Sequence, residues 1–138
     1  MEEERRRYLQ LAKEFFDIAD RELRSGPQSK PVVADLVWHG TELSLKALAV
    51  GHGMPWDHDL DKVTKHLLDN SVLSGSDLGY LKPFFVHVTG SHDYTDTRYP
   101  EKDPRYWQNM TTDQLAEGLN AGLEVHKFVM KRSTIKLI

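Results

Sequence analysis

The run YTDTRYPEKD, Tyr94 to Asp103, puts an arginine between two tyrosines and just ahead of a proline. A guanidinium carries a permanent charge and can make two parallel hydrogen bonds to a phosphate. Tyr94 and Tyr99 supply rings on which a base could stack beside Arg98. The structural alternative is a helix end. Pro100 cannot continue a helix, and Arg98 would then satisfy the last carbonyls at the negative end of the dipole. The two readings of Arg98 stand side by side on sequence alone.

The other polar candidates are weaker. Glu42 and Lys46 are spaced for an ion pair on one helix face, read first as a rim pair and second as ligand contacts. His58 follows Asp57, a residue suited to cap a helix, so it packs locally or touches a ligand. Seven histidines raise the question of a metal, with His52, Asp57, His58, His87 and His92 as the candidate set. No His-x3-His pair shares a helix face and no Glu-x-x-His pair occurs, so no metal is expected, and no cofactor. Cysteine is absent, which excludes disulfides and thiolate chemistry.

These residues must be positioned by helices. Apolar residues recur at helical spacing along most of the chain, and cleanly alternating stretches are short. A first helix is expected from Glu2 to Arg24, with Tyr8, Leu11, Ala12, Phe15, Phe16, Ala19 and Leu23 on one stripe. Its first turn is acidic, its last turn basic, and Ser25-Gly26-Pro27 stops it. The pairs Glu2–Arg6 and Glu3–Arg7 suit weak surface bridges. A second helix runs from Pro31 to Val50, with Val33, Leu36, Val37, Gly40, Leu43, Ala47 and Val50 on a broad face. Gly40, Ser44 and Ala47 are small, so another backbone can come close, and this helix is expected to be the most buried. Gly51 and Gly53 end it.

Asp57 can cap a third helix, His58 to Asp69, facing inward through Leu60, Val63, Leu67 and Leu68. A fourth helical region, Ser76 to His92, contains Pro83 and is kinked or split there. The last helix opens on a capping box of Thr111 and Gln114, with Met110 and Leu115 as the hydrophobic staple. Leu115, Leu119, Gly122, Leu123, His126, Val129 and Met130 line its apolar face, and it should end at Lys131 or Arg132. His126 is therefore expected in the core or at an interface with a hydrogen-bond partner. Gly118 and Gly122 imply close helix contact.

One domain of residues 1–138 accounts for the 138-residue length. The fold class is all-α, an antiparallel up-and-down bundle of four to five helices. No stretch approaches a membrane span, and MEEERRRYLQ lacks the apolar core of a signal peptide, which sets the expectation of a cytoplasmic location. A net charge of -3 gives no general attraction for a polyanion, so RNA contact would need a local basic patch.

Three stretches, in order, resemble the HEPN family of small helical domains. TELSLKALAV, Thr41 to Val50, is similar to the family's Glu-x-x-Leu-Lys-Ala segment on its second helix. DHDLDKVTKHL, Asp57 to Leu67, is similar to its Thr-His-Asp-Leu start of the third helix, with Asp57 in place of threonine. DTRYPEKD, Asp96 to Asp103, is similar to its Arg-Tyr-Pro-Asp, with Glu101 for the aspartate. AKEFFDIADREL and the closing helix also fit, so the resemblance spans nearly the whole chain. It implies an up-and-down bundle that pairs into a homodimer. It also implies one of several roles: a metal-independent ribonuclease using Arg-x(4–6)-His, a companion of a small nucleotidyltransferase in toxin–antitoxin or drug-resistance systems, or a nucleotide-binding module.

The nuclease pattern can be tested against the residues. From Arg98 the histidine positions hold Asp103, Pro104 and Arg105, and from Arg105 they hold Met110, Thr111 and Thr112. No arginine of the chain has a histidine at that distance. The pattern pairs a group that handles the proton of the attacking 2′-hydroxyl with a fixed cation for the phosphorane. HVTGSHDY is the near miss. His92 and Tyr94 stand at the spacing of the family's Arg-x4-His-x-Tyr form, but His87 occupies the arginine's place. A histidine is a poor substitute for a permanent guanidinium. A divergent endoribonuclease would need His92, Tyr94, His87 and the cation of Arg98.

The leading expectation is a non-nuclease HEPN-type binding module. Its homodimeric groove would take a nucleotide or an RNA phosphate, or dock a nucleotidyltransferase, through Arg98, Tyr94, Tyr99, Glu42, Lys46 and His58. The alternatives are the endoribonuclease and a structural adaptor without ligand. With EDTA present, the purified chain is expected to leave RNA uncut. Cleavage by the wild type that disappears in His92→Ala would put the enzyme first.

Overall fold

The computed structural model describes residues 2–25, 30–54, 60–76 and 111–133. These form four helices and, among the described residues, no strand: α1 (Glu2–Arg24), α2 (Lys30–Gly51), α3 (Leu60–Asp69) and α4 (Thr112–Ser133). No helix among them is long and apolar enough to cross a membrane. The expected fourth helical region and the Asp57 cap lie outside the described residues, as does the Met110 half of the staple.

The ends of the helices obey local chemistry. At α4, the Thr111 N–H donates to Gln114 Oε1 at 2.8 Å, and the Gln114 N–H donates to Thr111 Oγ1 at 3.1 Å. This reciprocal box satisfies two backbone donors that the first turn leaves without helical partners. Gly53 closes α2 at φ +67°, where the Met54 N–H reaches Ala49 O at 2.9 Å and the Gly53 N–H reaches Val50 O at 3.0 Å. Ser71 closes α3 in the same way at φ +60°, with the Val72 N–H on Leu67 O at 2.9 Å. Here a residue with a Cβ holds the left-handed position that glycine takes without cost.

Packing centres on α2, as its composition predicts. Val33, Val37, Trp38, Leu45, Ala47 and Ala49 are buried, and their positions run most of the way round the helix. Two hydroxyls are buried with them. Thr41 donates to Val37 O at 2.9 Å and Ser44 to Gly40 O at 2.8 Å, so neither loses a hydrogen bond on leaving water. Along the α1–α2 contact Arg5 lies against Gly51, Tyr8 against Lys46, Phe15 beside His39 and Phe16 against Gly40. Residue numbers therefore fall along α2 as they rise along α1. At the far end of α4, Arg132 donates to Val72 O at 2.6 Å and ties that helix to the residues leaving α3.

The buried line of α1 differs from the expected stripe. Leu9, Ala12, Phe16 and Ala19 are buried, whereas Leu11 is 40% exposed. The reason is that α1 meets both α2 and α4, so its innermost line points between them. Leu123 is likewise 38% exposed, and Val125 takes the inward place on α4. Of the two surface pairs, Glu2–Arg6 forms at 3.5 Å between exposed side chains, a geometry that contributes little.

Phe16 is the wedge of this core. Its ring is 1% exposed. A Cβ at Gly40 would lie 2.7 Å from its ring carbons, and one at Gly122 would lie 2.8 Å from the ring and 2.9 Å from Thr41 Oγ1. Small residues on both α2 and α4 are needed for the ring to fit. Gly40→Ala is expected to destabilise the protein by about 1–2 kcal/mol, since overpacking outweighs the gain in helix propensity. Urea denaturation reads this directly, and Phe16→Leu in the same chain should recover part of the loss.

Candidate functional site

Two of the predicted site residues, Glu42 and Lys46, fall on described helix. Arg98, Tyr94, Tyr99, His87, His92 and His58 lie outside the described residues. Glu42 and Lys46 sit on α2 beside α1, in a polar seam that also includes Asp35, His39, Tyr8 and Glu4.

Glu42 is not a rim residue. Its side chain is 7% exposed, and its Oε1 stands 3.3 Å from His39 Nδ1. The other imidazole nitrogen, Nε2, is 3.6 Å from Asp35 Oδ1. These contacts follow from helical spacing, since positions 35, 39 and 42 share one face. Both ring nitrogens thus stand beside carboxylate oxygens, one from each neighbouring turn of α2. The ring is fixed by aromatic neighbours, Phe15 at 6.0 Å between centroids and Trp38 edge-on at 5.8 Å.

Lys46 does not pair with Glu42. Its ammonium lies 4.8 Å from the centroid of the Tyr8 ring. The face of a phenol ring is negative, so this contact holds the charge without a carboxylate. The Tyr8 hydroxyl donates to Glu4 Oε1 at 2.8 Å. That hydrogen bond, followed by burial and the Glu4 charge, holds the phenol above its ordinary pKa, against a smaller pull downward from Arg7. Tyr8 therefore stays protonated at neutral pH and serves as a platform and donor, not a nucleophile.

Chemically, the seam offers a desolvated carboxylate with a histidine on it, and one turn further an ammonium resting on a ring. It can bind and orient. Among the described residues no group of three His, Cys, Asp or Glu side chains is placed to hold a metal ion. His52, the one described member of the candidate metal set, is exposed just past the end of α2. His126 stands apart from the seam, in the core against α1, with its Nε2 3.0 Å from Leu9 O as its place in the stripe predicts.

Sequence reasoning missed His39 and Asp35, whose signal was present as the spacing Asp35-x3-His39-x2-Glu42. It also missed Tyr8 as the partner of Lys46, which no spacing reveals because the two residues sit on different helices. Compared with protein-family models, with curated proteins and with solved structures, the chain matches none.

The two halves of the seam carry different weights. His39→Leu takes the facing imidazole from a nearly buried carboxylate and is expected to destabilise by about 1–3 kcal/mol. Lys46→Leu gives up a partly exposed cation–π contact and should cost no more than about 1 kcal/mol. Chemical denaturation of both variants at neutral pH checks the order.

Proposed function

We propose that the chain is a HEPN-type binding module without nuclease activity, an antiparallel up-and-down bundle acting as a homodimer in the cytoplasm. Its groove takes a phosphate-bearing ligand, a nucleotide or an RNA segment, or docks a small nucleotidyltransferase partner in a toxin–antitoxin-like setting. The observation that carries this reading is the placement of the segment Thr41 to Val50. The two polar residues of the segment that resembles the family's Glu-x-x-Leu-Lys-Ala motif both lie in the polar seam, with Glu42 buried beside His39 and Lys46 on Tyr8. The order and spacing of the other two motifs support the same family, and the missing arginine–histidine pair supports binding over cleavage.

Within this reading Arg98 is the principal phosphate contact, with Tyr94 and Tyr99 as stacking partners, and Lys46 and His58 add positive charge and donors. Arg98→Ala should weaken binding of a nucleoside triphosphate by about 1.5–3 kcal/mol, the value of one charge-assisted contact. Arg98→Lys should weaken it less, since lysine keeps the charge but loses the fork. Isothermal titration of wild type and both variants measures this. Equal affinity in all three would leave Arg98 as a helix cap and place the structural adaptor first.

A further inference from the structure

Lys46 carries a charge that no neighbouring carboxylate takes up. Glu42 stands one turn before it on α2, in the order that favours an i, i+4 pair. The pair does not form. Glu42 turns the other way, with its Oε1 3.3 Å from His39 Nδ1, while Lys46 reaches across to the Tyr8 ring of α1, 4.8 Å from its centroid. The carboxylate beside that ring, Glu4, is occupied as well, since it accepts from the Tyr8 hydroxyl at 2.8 Å. Among the described residues Lys46 makes no hydrogen bond and no ion pair. A ring face attracts the charge of an ammonium but leaves its three N–H donors to other acceptors.

Two side chains maintain this arrangement. His39 faces Glu42 and is held in place by Phe15, at 6.0 Å between centroids, and by Trp38 edge-on at 5.8 Å. Tyr8 acts twice: its face takes Lys46 and its hydroxyl keeps Glu4. If either carboxylate swung to Lys46, it would neutralise the charge and fill the donors. Glu42 is also the more buried of the two partners on α2, so the half-buried ammonium is the group nearer to solvent.

We propose that His39 and Tyr8 are positioning residues that keep Lys46 open for an anion of the phosphate class by holding Glu42 and Glu4 away from its ammonium. A compact ammonium with rotatable donors meets a phosphate group as a point charge. The proposal rests on the phosphate-binding reading above and assigns to that site two residues that touch no ligand. Its consequence is specific. Loss of His39 should weaken anion binding because Glu42 then turns to Lys46, and removing the charge of Glu42 should restore it.

The test uses the full chain and inorganic triphosphate, titrated calorimetrically at neutral pH. Lys46→Met should weaken binding by roughly tenfold or more, the loss of one charge-assisted contact. His39→Leu should weaken it several-fold, and His39→Leu with Glu42→Gln should recover most of the loss, since a neutral amide cannot compensate the ammonium. A purely structural role for His39 would give no such recovery. Unchanged affinity in Lys46→Met, or no recovery in the double variant, would overturn the proposal. If His39→Leu does not fold, Tyr8→Phe decides in its place: it keeps the ring face and releases Glu4, so weaker binding supports the proposal and equal affinity overturns it. Arg98→Ala separates the two readings. Binding that depends on Arg98 but not on Lys46 would leave the groove reading standing and sink this one. Binding that depends on Lys46 but not on Arg98 would do the reverse, and no binding by wild type would remove both.

Discussion

A single phenyl ring sets the spacing of α1, α2 and α4. Phe16 stands where side chains on α2 and α4 would otherwise be, and both helices answer with glycine. Interiors are packed at near-crystalline density, so a ring in that place dictates what its neighbours can be. The constraint propagates. Because α2 and α4 both close on α1 at this level, the inward line of α1 runs through Leu9, Ala12, Phe16 and Ala19. Because the approach is close, the polar groups at the junction must be satisfied locally, Thr41 on its own helix and His126 on the Leu9 carbonyl.

The polar seam is the counterpart of that apolar junction. Asp35, His39, Glu42 and Lys46 lie along the more open side of α2, with Tyr8 and Phe15 of α1 beside them. A carboxylate as buried as that of Glu42 is tolerated only with partners, since desolvation alone would drive it to its neutral form. His39 supplies one. The seam is therefore held by the same packing that holds the core, which places its side chains on rigid helix and not on loops.

Much of the helical architecture was legible in the sequence, for reasons that differ by element. The ends of α1 and the capping box at Thr111 and Gln114 are local signals and appear where predicted. The placement of His126 followed from periodicity. What periodicity could not supply was the number of neighbours of each helix. Leu11 and Leu123 sit at helical spacing within apolar stripes, yet both are partly exposed because the true buried lines are rotated toward two neighbours at once. The site was legible only in part for a related reason. Glu42 and Lys46 were found as a pair by their separation, but the partners that determine their behaviour are His39 and, across the helix boundary, Tyr8.

The bond from His126 to Leu9 joins residues 117 positions apart, whereas the fit of Phe16 against Gly40 needs only the α1–α2 hairpin. Synthesis proceeds from the N-terminus, so this hairpin emerges from the ribosome well before α4. Until Leu115 to Val129 have been made, the side of Phe16 that will meet Gly122 lacks its partner on α4. Such apolar surface is what nascent-chain chaperones capture and what drives premature association. The wedge that fixes the finished bundle also makes the unfinished chain dependent on its last described helix.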